Sequence, residues 1–127
     1  MSVKYKIIPR INSKNPAKPT KYYAKTIANG KTDSETLSAL IAANCRMNVL
    51  DCQRVLSYLE VVLKNELIQG KIVHLGDIGN FQLAAGSNEF ATKKQVIDNT
   101  STDAKINFRA GKGLKKMMGE SEYTKVK

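Results

Sequence analysis

Lys112, Lys115 and Lys116 are the residues best spaced to do chemistry in this chain. Offsets of three and four residues put their ammonium groups on one face of a short helix opened by Gly111 and Gly113. The start of such a helix adds amide N–H groups that are not yet hydrogen-bonded, and amides beside ammonium groups suit a phosphate. The other reactive types are sparse. His74 is the single histidine, lies on an expected strand and has no carboxylate or second ligand near it in sequence, so a structural or surface role is expected and no metal site. Gly76-x-x-Gly79 and Gly111-x-Gly113 lack the Lys-Ser/Thr ending of a phosphate loop and read as turn glycines. One histidine cannot complete a Ser/His/Asp or Cys/His set, so no enzyme, cofactor or small-molecule substrate is expected. Cys45 and Cys52 fit reduced, half-buried thiols rather than a disulfide framework.

The charge agrees with a phosphate partner. The 127 residues carry a formal net charge of +10 and a pI near 9.7, which calls for polyanionic partners. The excess is unevenly placed. Residues 1–31 hold Lys4, Lys6, Arg10, Lys14, Lys18, Lys21, Lys25 and Lys31 without one acid, whereas residues 32–70 hold five acids against three bases. From Lys105 onward the chain is basic again. No apolar run approaches the roughly 20 residues of a bilayer span, and Ile7-Ile8 before Pro9 is no signal-peptide core. A soluble, cytoplasmic protein without membrane contact is the expectation.

The elements that must position these groups centre on residues 48–83. Asn48 caps a long helix whose Cys52, Val55, Leu56, Leu59, Val62, Leu63 and Leu67 form one apolar stripe, and Gly70 stops it. The period then switches to two: Val73 and Leu75 share a strand face, as do Phe81 and Leu83 across a glycine turn. One short hairpin cannot cover so broad a stripe, so a second partner is needed, from this chain or another copy. Upstream, Val3–Ile8 and Tyr22–Ala28 read as strands joined by a proline loop over 9–21. Thr32-Asp33-Ser34-Glu35 reads as a capping box with the Thr hydroxyl as cap, followed by a helix with Leu37, Leu40, Ile41, Asn44 and Cys45 at helical spacing. Downstream, Thr92 caps a short turn through Ile97, Lys105–Arg109 is a strand, Gly111–Met118 a basic helix, and 119–127 a frayed tail.

Helix, tight turn, long helix, glycine, hairpin, arm and closing basic helix together resemble the HU and integration-host-factor family of dimeric bacterial DNA-binding proteins. The carrying residues are Val73-His74-Leu75-Gly76-Asp77-Ile78-Gly79-Asn80-Phe81, against a V-x-L-x-G-F-G-x-F hairpin, and Phe108-Arg109-Ala110-Gly111-Lys112-Gly113-Leu114-Lys115, against F-R-P-G-K-x-L-K. The resemblance covers about residues 33–118, and the basic extension before it is similar to that of an HU-related branch in Bacteroidetes-type bacteria. It implies an α+β, intertwined homodimer: two N-terminal helices, a β-sheet with an arm and a short last helix, after an N-terminal β-hairpin extension. The expected domains are a basic extension at 1–31, the HU-like domain at 32–118 and a flexible tail at 119–127.

The same resemblance implies a dimer core at Leu56, Leu59, Leu63, Phe81, Leu83 and Phe108. It implies sequence-tolerant binding of double-stranded DNA in a nucleoid, with contacts at Arg109, Lys112, Lys115 and Lys116. The arm adds Lys93, Lys94 and Lys105, and the extension Lys4 and Lys6. The family's arm tip carries a proline that wedges between base pairs, but no proline lies between Ala84 and Asn107. Binding with weak bending is therefore expected, with Phe90, Val96 and Ile97 folded back on the body. Two other classes remain open: a structural or interaction module with this fold, and an RNA or single-stranded DNA binder using Tyr5, Tyr22 and Tyr23.

Overall fold

The computed structural model describes residues 2–10, 14, 19–86, 88–100 and 103–126. Most of the expected proline loop (11–13 and 15–18) and residues 101–102 of the polar arm tract lie outside them. The fold is α+β, with two compact units: residues 1–32 with 118–127, and residues 33–117.

The larger unit begins with α1 (Ser34–Cys45). Its cap is Asp33 rather than Thr32: the carboxylate accepts a hydrogen bond from the Thr36 amide at 2.8 Å. That bond holds the Asp33 carboxyl below its ordinary value of 3.8. A depressed folded value means that this cap contributes fully above about pH 4 and is lost as the pH falls through the folded pKa. Arg46 ends the helix in the left-handed conformation (φ 54°), which gives the tight turn into α2 (Val49–Ile68). Asn48 caps α2 as expected, accepting from the Leu50 amide at 2.8 Å, and the helix ends just before Gly70.

Small residues are most of the buried ones in these two helices. Ser38 and Ala42 of α1 and Cys52 of α2 are buried, while Leu37, Leu40 and Ile41 stay exposed. Small side chains let the backbones approach, and the Ser38 hydroxyl is satisfied by donating to the Ser34 carbonyl at 2.7 Å. The cysteines are free thiols, Cys45 exposed and Cys52 buried.

β3 (Val73–Leu75), β4 (Gly79–Ala84) and β5 (Lys105–Ala110) form an antiparallel sheet in that order, and α2 packs on β3 and β4. Val73 opposes Phe81, and Phe81 opposes Phe108, their rings 4.9 Å apart. Gly79 is buried where this sheet is tightest. Its φ is +152°, and an added Cβ would lie within 2.8 Å of the Phe108 ring and strike the Arg109 carbonyl. Gly79→Ala is therefore expected to cost about 2–4 kcal/mol in urea denaturation. By contrast, Gly119→Ala meets open space in α4 (Lys112–Glu120) and should stabilise slightly.

The smaller unit is a sheet of order β2-β1-β6, made of β1 (Val3–Arg10), β2 (Lys21–Ile27) and β6 (Tyr123–Lys125). Two expectations change here. Strand β1 runs through Pro9 to Arg10, because β6 covers only Val3–Tyr5 and leaves β1 an open edge further on, where a missing N–H costs no ladder bond. Residues 123–125 are not frayed: they pair in parallel with β1, tied by the Val3 amide to the Glu122 carbonyl and the Val126 amide to the Tyr5 carbonyl, both 2.8 Å. No described helix is long and apolar enough to cross a membrane.

Candidate nucleic-acid interface

Strand register sorts the β3-β4-β5 sheet into two faces. Val73, Phe81, Leu83, Ile106 and Phe108 share one; Asn80, Gln82, Lys105, Asn107 and Arg109 share the other. The polar face thus brings together Lys105 and Arg109, both expected as site residues, with three amide side chains that sequence reasoning missed. Their signal was the same period-two alternation that located Phe81 and Leu83, read on the opposite parity. Asn80, Gln82, Asn107 and Arg109, with the apolar Ile72, Phe81, Ile106 and Phe108, border an open depression of about 560 Å³. Amides and a guanidinium offer donors to phosphate or sugar oxygens. His74 lies on the same polar face, opposite Asn80, and is exposed.

Helix α4 follows β5 directly. Lys112, Lys115 and Lys116 are all exposed on it and share one face, as their spacing requires. The helix N-terminus itself is not open, however. The Gly111 amide donates to the Ile78 carbonyl at 2.8 Å, and the Gly113 amide to the Asp77 carbonyl at 3.1 Å. An added Cβ at Gly111 would sit 2.6 Å from that Asp77 oxygen, so the glycine permits the β3–β4 turn to dock on the helix start. Two of the amides expected to receive phosphate are therefore already used. The lysine side chains are then the main anion-binding groups at this end of the helix.

Among its described residues, the arm between β4 and β5 is neither a ribbon nor a flap packed on the body. It contains α3 (Lys93–Asp98), whose Thr92 forms a full capping box with Gln95. The base of the arm is closed by the Gly86 amide donating to the Thr100 carbonyl at 3.2 Å and by the Asn88 side chain donating to the Asp103 carboxylate. Lys93 and Lys94 are exposed, away from the sheet lysine and arginine in sequence and on a separate element. Phe90, Val96 and Ile97 remain exposed, Ile97 by 73 %. Their expected return to the body does not occur: the short helix has no other element packed closely on it.

A family model described as an HU domain fused to wHTH, Ig, or Glycine-rich motif matches residues 1–125. The chain belongs to this HU-HIG family. HU-type domains carry a DNA-binding, histone-like role at the level of the family, and the α+β fold of four helices and two small sheets is compatible with theirs. No curated protein matches the chain. The HU-HIG match includes the N-terminal strands as well as the helical unit, so the extension is part of the family's own pattern. Lys4 and Lys6, the remaining expected site residues, are exposed on β1 in the smaller unit. Among the described residues, no group of three or more His, Cys, Asp or Glu side chains could hold a metal ion.

Proposed function

We propose that this HU-HIG protein is a homodimeric, sequence-tolerant binder of double-stranded DNA with an architectural role in a bacterial nucleoid, and not an enzyme. The carrying observation is the polar face of the β3-β4-β5 sheet, where Lys105 and Arg109 stand among amide donors, continued in sequence by Lys112, Lys115 and Lys116 on α4. Such groups hold phosphates and sugars, which position a duplex without reading its sequence. The N-terminal strands are consistent with the extended branch of HU-related proteins found in Bacteroidetes-type bacteria.

The dimer follows from what one chain leaves uncovered. In α2, Cys52 and Leu67 are buried and Leu56 and Leu63 half-buried, but Val55, Leu59 and Val62 are exposed. On the sheet, Leu83, Ile106 and Phe108 are likewise exposed, although their face carries the ring pair of the core. A second copy laid over this stripe would bury both sets at once.

Binding is expected with little bending. Among the described residues no ribbon that would carry a wedge around a duplex is formed: β4 ends at Ala84, β5 begins at Lys105, and a capped six-residue helix lies between. Ring closure of duplex fragments shorter than about 150 bp measures this directly. Weak stimulation is the expected result. Strong stimulation that disappears with Ile97→Ala or Phe90→Ala would establish intercalation by the arm instead.

One observation favours a second reading. Tyr22 is exposed by 69 %, as stacking on an unpaired base requires. A salt titration against duplex and single-stranded DNA of equal length separates the two: preference for duplex supports the main reading, and preference for the single strand replaces it.

A further inference from the structure

The N-terminal sheet gathers most of its charges on one face and most of its tyrosines on the other. The β1/β2 register runs without interruption from Lys4 opposite Ile27 to Arg10 opposite Lys21. Side chains alternate between faces, so Lys4, Lys6, Arg10, Lys21 and Lys25 fall on one face, together with Ile8, Tyr23 and Ile27. Two contacts agree with that assignment. The Arg10 guanidinium lies over the Tyr23 ring at 5.4 Å, and the Ser2 and Thr124 hydroxyls meet at 2.6 Å on the parity of Lys4. The opposite face carries Tyr5, Tyr22 and Tyr123 with Lys125 as its cation.

All five cations of the first face are exposed, and among the described residues none has a carboxylate within ion-pair distance. Residues 1–32 contain no acid, and the acids of 118–127 are Glu120 and Glu122, ahead of β6. From Lys4 to Arg10 the array spans about 20 Å at roughly 3.3 Å per residue. So many like charges on one small face destabilise one another unless an anion lies across them.

We infer that this basic face, carrying Lys4, Lys6, Arg10, Lys21 and Lys25, is a second docking surface for the phosphate backbone of duplex DNA, separate from the interface on the β3-β4-β5 unit. The inference rests on the duplex-binding reading above and assigns the extension its part in it. Single-stranded nucleic acid fits the surface poorly, because binding it needs bases stacked beside the phosphates. Here Tyr5, Tyr22 and Tyr123 point to the other face, and Tyr23 already has the Arg10 guanidinium over its ring. A duplex keeps its bases inside and presents a phosphate wall, and this face matches that.

The test uses the full chain and two variants, Lys4→Gln/Lys6→Gln/Lys25→Gln on the sheet and Lys112→Gln/Lys115→Gln on α4. Affinity for a short duplex is measured across salt, with circular dichroism confirming that both fold. Each lysine that touches phosphate contributes about 0.9 to the slope of log affinity against log salt. The sheet variant is expected to flatten the slope by about 2.7 per chain, and its Lys→Arg counterpart to restore it. An unchanged slope in the sheet variant, while the α4 variant flattens it, would overturn this inference and leave the first interface standing. If only the sheet variant flattens it, the inference holds and the α4 reading fails. A single strand of equal charge that displaces the duplex from the α4 variant would show the occupant to be wrong.

Discussion

Leu59→Lys abolishes the dimer and most of the helicity together: that is the expected result for the position at the middle of the uncovered stripe. Leu59 is 36 % exposed in the single chain, with Val55 and Val62 beside it at 60 % and 54 %. Within one chain the fully buried apolar side chains are few, and Ala42 and Cys52 are small. If a second copy supplies the missing cover, the dimer interface is most of the core, and folding and association are one event. An ammonium group placed there would be desolvated without a partner, a cost of several kcal/mol, which exceeds what a small core can absorb. Leu59→Met keeps volume and apolarity, so it should cost less than about 1.5 kcal/mol and keep the dimer. Sedimentation with far-ultraviolet circular dichroism reads both quantities. A wild-type protein that sediments as a folded monomer of 14.0 kDa would end the dimer reading.

Reversing Lys112 and Lys115 to Glu should weaken binding to every duplex sequence alike, with the largest loss at low salt. Both lysines are exposed on one face of α4, and the helix start offers less in their place, since the Gly111 and Gly113 amides are engaged by the β3–β4 turn. Phosphate contact at this helix therefore depends on side-chain charge. If six to ten phosphates are neutralised by the dimer, the wild-type slope of log affinity against log salt should be about −5 to −9. Two reversals per chain replace four attractions per dimer with four repulsions. The loss should thus exceed tenfold at low salt and shrink as ions screen it. Because the contacts go to the backbone, ranking among duplex sequences should not change. An affinity indifferent to salt or to both reversals would instead favour an interaction module that keeps the fold without binding duplexes.

Local chemistry determined what could be read from the chain alone. Asn48, the stripe from Cys52 to Leu67 and Gly70 specify α2, because cap, period and stop lie within the helix itself. The alternation from Val73 to Leu83 likewise specifies a hairpin, and the Thr92 cap a short helix. The imbalance of charge and the Phe108–Lys115 motif point to phosphate and to the family from the sequence itself. Tertiary structure decided the rest, wherever the answer depended on a distant partner. Residues 119–127 carry no strong strand pattern, and only pairing with β1 makes Tyr123–Lys125 a strand. Leu37, Leu40 and Ile41 lie at helical spacing, but packing buried Ser38 and Ala42 of that helix instead. The helix start at Gly111 looked open until the turn at Asp77 docked on it. Lys4, Lys6, Arg10, Lys21 and Lys25 become one surface only when the β1/β2 register brings them together, because their sequence separations are spanned by pairing rather than by period. Periodicity specifies which residues share a face of one element; which face meets which neighbour is a property of the packed whole.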